Sequence, residues 1–94
     1  MNKIELNDNY INKIITGESD VLKLAYQEDL GDSRWLIVIE DQSGEYFQGI
    51  VLQKSEYKYV IEGDTEFERV YPIKDVSTGK IVKIKESENH PPGE

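Results

Sequence analysis

The stretch SDVLKLAYQEDLGD, residues 19–32, decides the fold, because it satisfies two periodicities at once. Read as a helix, it offers Ser19 or Asp20 as cap, Leu22, Ala25, Tyr26 and Leu30 on one face, and Gly31 as stop. Read as a strand, it points Leu22, Leu24 and Tyr26 inward and Lys23 outward, then turns through Leu30-Gly31-Asp32-Ser33 into the next run. Intrinsic propensity favours the helix and the neighbouring pattern favours the strand. The strand is adopted here, since the chain beyond it reads as a meander and consecutive strands usually pair.

Downstream, RWLIVIE (34–40) is apolar at five successive positions and rich in β-branched residues, so it predicts a central strand covered on both faces. DQSG (41–44) turns the chain and EYFQGIVLQ (45–53) returns it, with Gly49 predicting a bulge or bend. KYVIE (58–62) and FERVYPI (67–73) follow as a hairpin around a Gly63-Asp64 turn. STG (77–79) opens the last strand, KIVKIK (80–85), with Val82 and Ile84 inward and Lys83 and Lys85 outward. Upstream, LNDNYINKIITG (6–17) predicts a short helix capped by Asn7 or Asp8, striped by Tyr10, Ile11, Ile14 and Ile15, and stopped at Gly17. So short a helix is unstable alone and must dock on a sheet face.

The fold class that results is α+β: one short N-terminal helix packed on a curved antiparallel sheet of five to six strands, with closure into a small barrel as the extreme of that curvature. A chain of 94 residues makes one small domain that buries roughly 60–65% of its unfolded surface. Residues 1–86 form the expected globular unit. Residues 87–94, part of ESENHPPGE with its paired prolines, form an expected flexible tail.

Charge narrows the functions. The net charge is −8, and residues 40–68 hold eight acids against two bases, while residues 69–94 hold four acids against five bases. Such a field repels nucleic acid and anionic membranes and steers basic proteins inward. There is no cysteine, which excludes disulfides, thiolate metal sites and a cysteine nucleophile. The single histidine, His90, falls in the expected tail, so neither a Ser-His-Asp triad nor a histidine-rich zinc site can be assembled around it. MNKIELNDNY lacks an apolar run of signal-peptide length, giving a cytoplasmic expectation.

The candidate site is EGDTEFERVYP (62–72), with carboxylates at Glu62, Asp64, Glu66 and Glu68. Asp64, Glu66 and Glu68 occupy positions 1, 3 and 5 of a twelve-residue calcium loop, but Arg69 stands at the sixth position, where the sharp turn needs glycine. No metal or other cofactor is therefore expected. Extended, the segment puts Glu66 and Glu68 about 6.8 Å apart on one side, with Phe67 and Tyr71 on the other and Arg69 between them. One reading makes the acids the wet side of an edge hairpin, where charge discourages aggregation and Lys83 or Lys85 pairs with them for little gain. The other makes Glu62, Asp64, Glu66 and Glu68 a charged surface for a basic partner, with Tyr57, Tyr59 and Tyr71 as contact anchors. The carboxylate spacing is on the order of the steps along a nucleic-acid backbone, about 3.4 Å per nucleotide, so the surface would act as a nucleic-acid decoy.

GDSRWLIVIEDQSGEYFQG followed by EGDTEFERVYPIKDV resembles a pattern of small accessory proteins of phages and mobile elements. It runs as a Trp-bearing strand, a Gly turn into an aromatic strand, and a Thr-Glu-aromatic-Glu segment leading to a Val- and Pro-containing close. The resemblance covers roughly residues 31–76 and implies an accessory protein of a small genome. In size and acidity the chain is also similar to phage-encoded inhibitors of host defence nucleases. The expectation is a non-enzymatic inhibitor that binds a basic nucleic-acid-binding host protein. The alternative is a small structural or assembly subunit that oligomerises through apolar sheet faces.

Overall fold

The computed structural model describes residues 3–63 and 66–86. Among them, one helix and seven strands follow in order: β1 (Lys3–Ile4), α1 (Asp8–Ile15), β2 (Lys23–Gly31), β3 (Arg34–Glu40), β4 (Tyr46–Ser55), β5 (Lys58–Ile61), β6 (Phe67–Lys74) and β7 (Ile81–Lys85). The α+β class with an N-terminal helix is as expected. The sheet is antiparallel throughout, with the order β1-β6-β4-β3-β2, β5 beside β4 and β7 beside β6, and it does not close into a barrel.

The ambiguous stretch is the strand β2. It pairs with β3 through a two-residue loop, Asp32-Ser33, whose φ values of 53° and 63° are those of a tight hairpin turn matched to the strand twist. The register slips between Leu24 and Tyr26, so Leu24 faces Ile39 but Tyr26 faces Val38. This bulge at Ala25 corrects the expected alternation: Leu22 and Leu24 join the helix-side core, and Tyr26 emerges on the opposite face.

Asn7 caps α1, its side chain accepting from the Tyr10 amide at 2.8 Å, and the chain leaves the helix through Gly17 at φ 82°. Ile11 and Ile14 are buried against Ile37, Ile39, Phe47, Val51 and Phe67, with Tyr10 and Ile15 packed at the margin. The helix also holds a strand edge. Asn12 donates to the Tyr59 carbonyl and accepts from the Tyr59 amide, both at 2.8 Å, and the Asp8 carboxylate accepts from the Ile61 amide at 2.9 Å. One asparagine side chain thus stands in for a paired peptide along the outer edge of β5.

This edge explains a second correction. The expected hairpin of residues 58–62 with 67–73 is not formed, because β5 and β6 both pair with β4 and run along it one after the other. The Glu62 amide bonds the Ile50 carbonyl and Glu68 sits opposite Gln48, so β5 and β6 share one edge of β4. The outer edge of β5 is taken by Asn12 and Asp8, and that of β6 by β1, which pairs Lys3 with Glu68.

Gly49 is a third correction. The β3–β4 register runs through it without a slip, Ile37 opposite Gly49. Glycine is needed there because a Cβ would lie 2.6 Å from the Phe67 ring. The irregularity in β4 falls instead between Gln53 and Ser55.

As expected for a central strand, β3 is covered on both faces: Ile37 and Ile39 lie under the helix, and Val38, fully buried, lies on the other side with Val70. On this second face, Ile81 of β7 borders a hollow with Tyr26 and Tyr46, while Glu86 borders another with Leu36 and Ile50. In β7, Ile81 and Ile84 are half-buried and Val82 is 64% exposed, so Val82 points out rather than in. The slip between Ile73 and Lys74 shifts the register by one and turns it over. Residues 87–94, the expected tail, lie outside the described residues.

Candidate functional site

The sheet face away from the helix carries Glu66 and Glu68. Alternation along β4 and β6 places Gln48, Ile50, Glu68 and Val70 on this face, and β3 adds Leu36. Together with Glu66 and Glu86 they line a hollow of about 390 Å³. Its floor is apolar, from Leu36, Ile50 and Val70, and its described rim carries three carboxylates; Arg69 also lines it, with its guanidinium engaged by Glu45 and the Tyr71 ring. Such a concavity accepts a cationic head together with its aliphatic stem.

The predicted site residues separate into distinct environments. Glu62 is engaged by Arg34, whose Nε donates to Oε1 at 2.7 Å and whose Nη2 donates to Oε2 at 3.0 Å. This guanidinium holds the Glu62 carboxyl below the usual carboxylate range. Glu62 is therefore tied to β3 just beyond the end of β5. Glu66 forms an ion pair with Lys3, and Glu68 lies directly across from Lys3 on the neighbouring strand. Asp64 lies outside the described residues.

The tyrosines are not beside the acids. Tyr59 packs against the helix-side core, and Tyr71 lies on the face of Phe67 with the Arg69 guanidinium 5.0 Å from its ring centroid. Arg69 also bonds Glu45 at 3.1 Å. Tyr57 is 74% exposed in the turn between β4 and β5. Among the described residues a single surface of carboxylates and tyrosine anchors is thus not assembled; Glu66 and Glu68 occupy the opposite face of the sheet from Tyr59 and Tyr71.

Sequence reading missed Leu36, Gln48, Ile50, Val70 and Glu86 as neighbours of the acids. The signal was present in RWLIVIE, whose unbroken apolar run requires a second covered face, and in the alternation Gln48-Gly49-Ile50. It also missed two internal partners: Lys3, since a two-residue strand leaves no pattern, and Arg34, since its partner Glu62 lies 28 positions away. Among the described residues, no helix is long and apolar enough to cross a membrane and no group of three or more His, Asp or Glu could hold a metal ion.

No family model matches this chain, and neither a curated protein nor a solved structure matches it.

Proposed function

We propose that the chain is a non-enzymatic interaction module whose acid-rimmed hollow takes up basic side chains of a protein partner. The observation that carries this reading is the apolar floor of Leu36, Ile50 and Val70 beneath Glu66, Glu68 and Glu86, in a chain of net charge −8. Carboxylates alone would favour only solvation; above an apolar floor they match the stem and head of lysine or arginine. A nucleic-acid-binding protein is the partner class that fits, because its working surface is basic and accepts carboxylates in place of phosphates. Inhibition of such a host protein is the role implied by the resemblance to accessory proteins of phages and mobile elements.

The test is capture from host-cell lysate on the immobilised protein, washed at low and then high salt, beside the Glu66→Lys/Glu68→Lys variant. The reading expects a basic nucleic-acid-binding protein held at low salt, released at high salt and lost with the variant. Equal retention by both proteins contradicts it. Glu66 and Glu68 are exposed and the Lys3–Glu66 ion pair is open to solvent, so the fold survives the exchange.

A second reading rests on a different observation. Ile73, Val76 and Val82 are exposed together on the β6–β7 hairpin, at 38%, 102% and 64%. Self-assembly through them gives a mass that rises with concentration, is indifferent to salt and returns to the monomer with Val82→Glu.

A further inference from the structure

The second hollow on the same face, about 520 Å³, has the opposite character. It is lined by Tyr26, Tyr46, Glu40, Lys74, Gly79 and Lys80, so two cations face one carboxylate in a chain that is otherwise strongly acidic. We propose that this hollow is a binding site for a small organic anion carrying a planar ring, of mononucleotide size. Nothing in this proposal depends on the acid-rimmed hollow.

The register builds the ring site. Tyr26 faces Val38 and Tyr46 faces Glu40, on the same side of β3. Their strands lie two spacings apart, roughly 9.6 Å, which leaves room for a planar group against either phenol. The bulge at Ala25 is what brings Tyr26 to this face; without it the ring would enter the helix-side core.

The anion site lies at the β6–β7 end. Lys74 donates to the Tyr46 hydroxyl at 2.6 Å, with its Nζ 5.1 Å from the ring centroid, so the ammonium is held at the wall by a partner that leaves its charge in place. That hydrogen bond raises the Lys74 pKa, keeping the group cationic at neutral pH. Lys80 follows Gly79, whose φ of 72° turns the backbone sharply into β7. Glu40 stands in the row between the two tyrosines, placed to accept a hydrogen bond from a ring amino group.

Size and sign limit the ligand. A volume of this order suits a compact molecule. A polynucleotide is disfavoured because the phosphates beyond the first would meet the surrounding acidic surface.

The experiment is titration of the protein with adenosine monophosphate, adenosine and inorganic phosphate separately at low ionic strength, read by backbone-amide NMR. Adenosine monophosphate should shift Tyr26, Tyr46, Gly79 and Lys80, and bind about tenfold or more tightly than either fragment. Lys80→Glu and Tyr26→Ala should each weaken it by about tenfold or more while the remaining spectrum stays folded. No shift at millimolar nucleotide, phosphate binding as tightly as the nucleotide, or undiminished affinity in both variants would overturn the proposal.

Discussion

Gly49→Ala is the smallest change that should loosen the strand bearing the acids. The added Cβ would sit 2.6 Å from Phe67 Cζ and 2.7 Å from both Cε atoms, whereas ordinary contact begins at 3.4 Å. The Phe67 ring, 1% exposed and wedged among Phe47, Val51 and Ile11, must withdraw by roughly 0.8 Å with no void to enter. Overpacking of this kind costs about 1–3 kcal/mol. Alanine returns about 0.5–1 kcal/mol through its smaller entropy loss in a strand, leaving a net loss of up to about 2.5 kcal/mol and centred on about 1 kcal/mol. For a chain of this size the central value is a fall in Tm of about 4–8 °C, read by urea and thermal unfolding through Trp35 fluorescence. Phe67→Leu relieves the clash, so the double variant should be more stable than the sum of the two single losses by about 1 kcal/mol. Wild-type stability in Gly49→Ala, or strict additivity with Phe67→Leu, would refute the close approach. Because Phe67 anchors the start of β6, Gly49→Ala should also weaken any partner that reads Glu66 and Glu68.

The edge clamp makes a related prediction: Asn12→Leu keeps the helix but leaves the Tyr59 amide and carbonyl without their partner, costing about 2–3 kcal/mol in urea unfolding. In the β2–β3 turn, Ser33→Gly keeps the left-handed conformation but removes the steric cost that serine bears in it, and should stabilise by about 1 kcal/mol, seen as a rise in Tm. Asp41 accepts from the Ser43 hydroxyl and the Ser43 and Glu45 amides, and its pKa is lowered chiefly by the Ser43 hydroxyl. A carboxylate whose folded pKa is depressed contributes stability that is present above its unfolded pKa, near 4. That contribution is lost as pH falls through the lower folded value. Asp41→Ala should therefore lower Tm at pH 7 and shrink the drop in Tm between pH 5 and pH 2.5; an unchanged acid drop would contradict the assignment.

The elements that sequence made legible are those whose pattern is local. Asn7, the Ile11–Ile14 stripe and Gly17 define the helix through rules that act within four residues, and RWLIVIE announces a strand buried on both sides. The places where reading failed are governed by contacts between distant residues. Gly49 suggested a bulge because a lone glycine in a strand carries no record of the ring 18 positions away that requires it. Gly63 suggested a hairpin, yet the hydrogen-bonding edge that hairpin would use is filled by Asn12 and Asp8 from the far end of the chain. One-residue slips at Ala25 and near Ile73 reversed Tyr26 and Val82, since in a strand a single inserted residue exchanges the two faces. For the site, the acids on one side of residues 66–68 were legible from alternation. Their separation from Tyr59 and Tyr71, and the apolar floor beneath them, depend on strand order.

The central claim is that a basic partner seats in the hollow between β3, β4 and β6. The most direct measurement is a titration of isotope-labelled protein with the captured partner, read at backbone amides. Shifts concentrated at Leu36, Gln48–Ile50, Glu66–Val70 and Glu86, diminishing as salt is raised, are the result expected. Shifts confined to the outer edge of β2 or to the Ile73–Val82 hairpin, unaffected by salt, would contradict it.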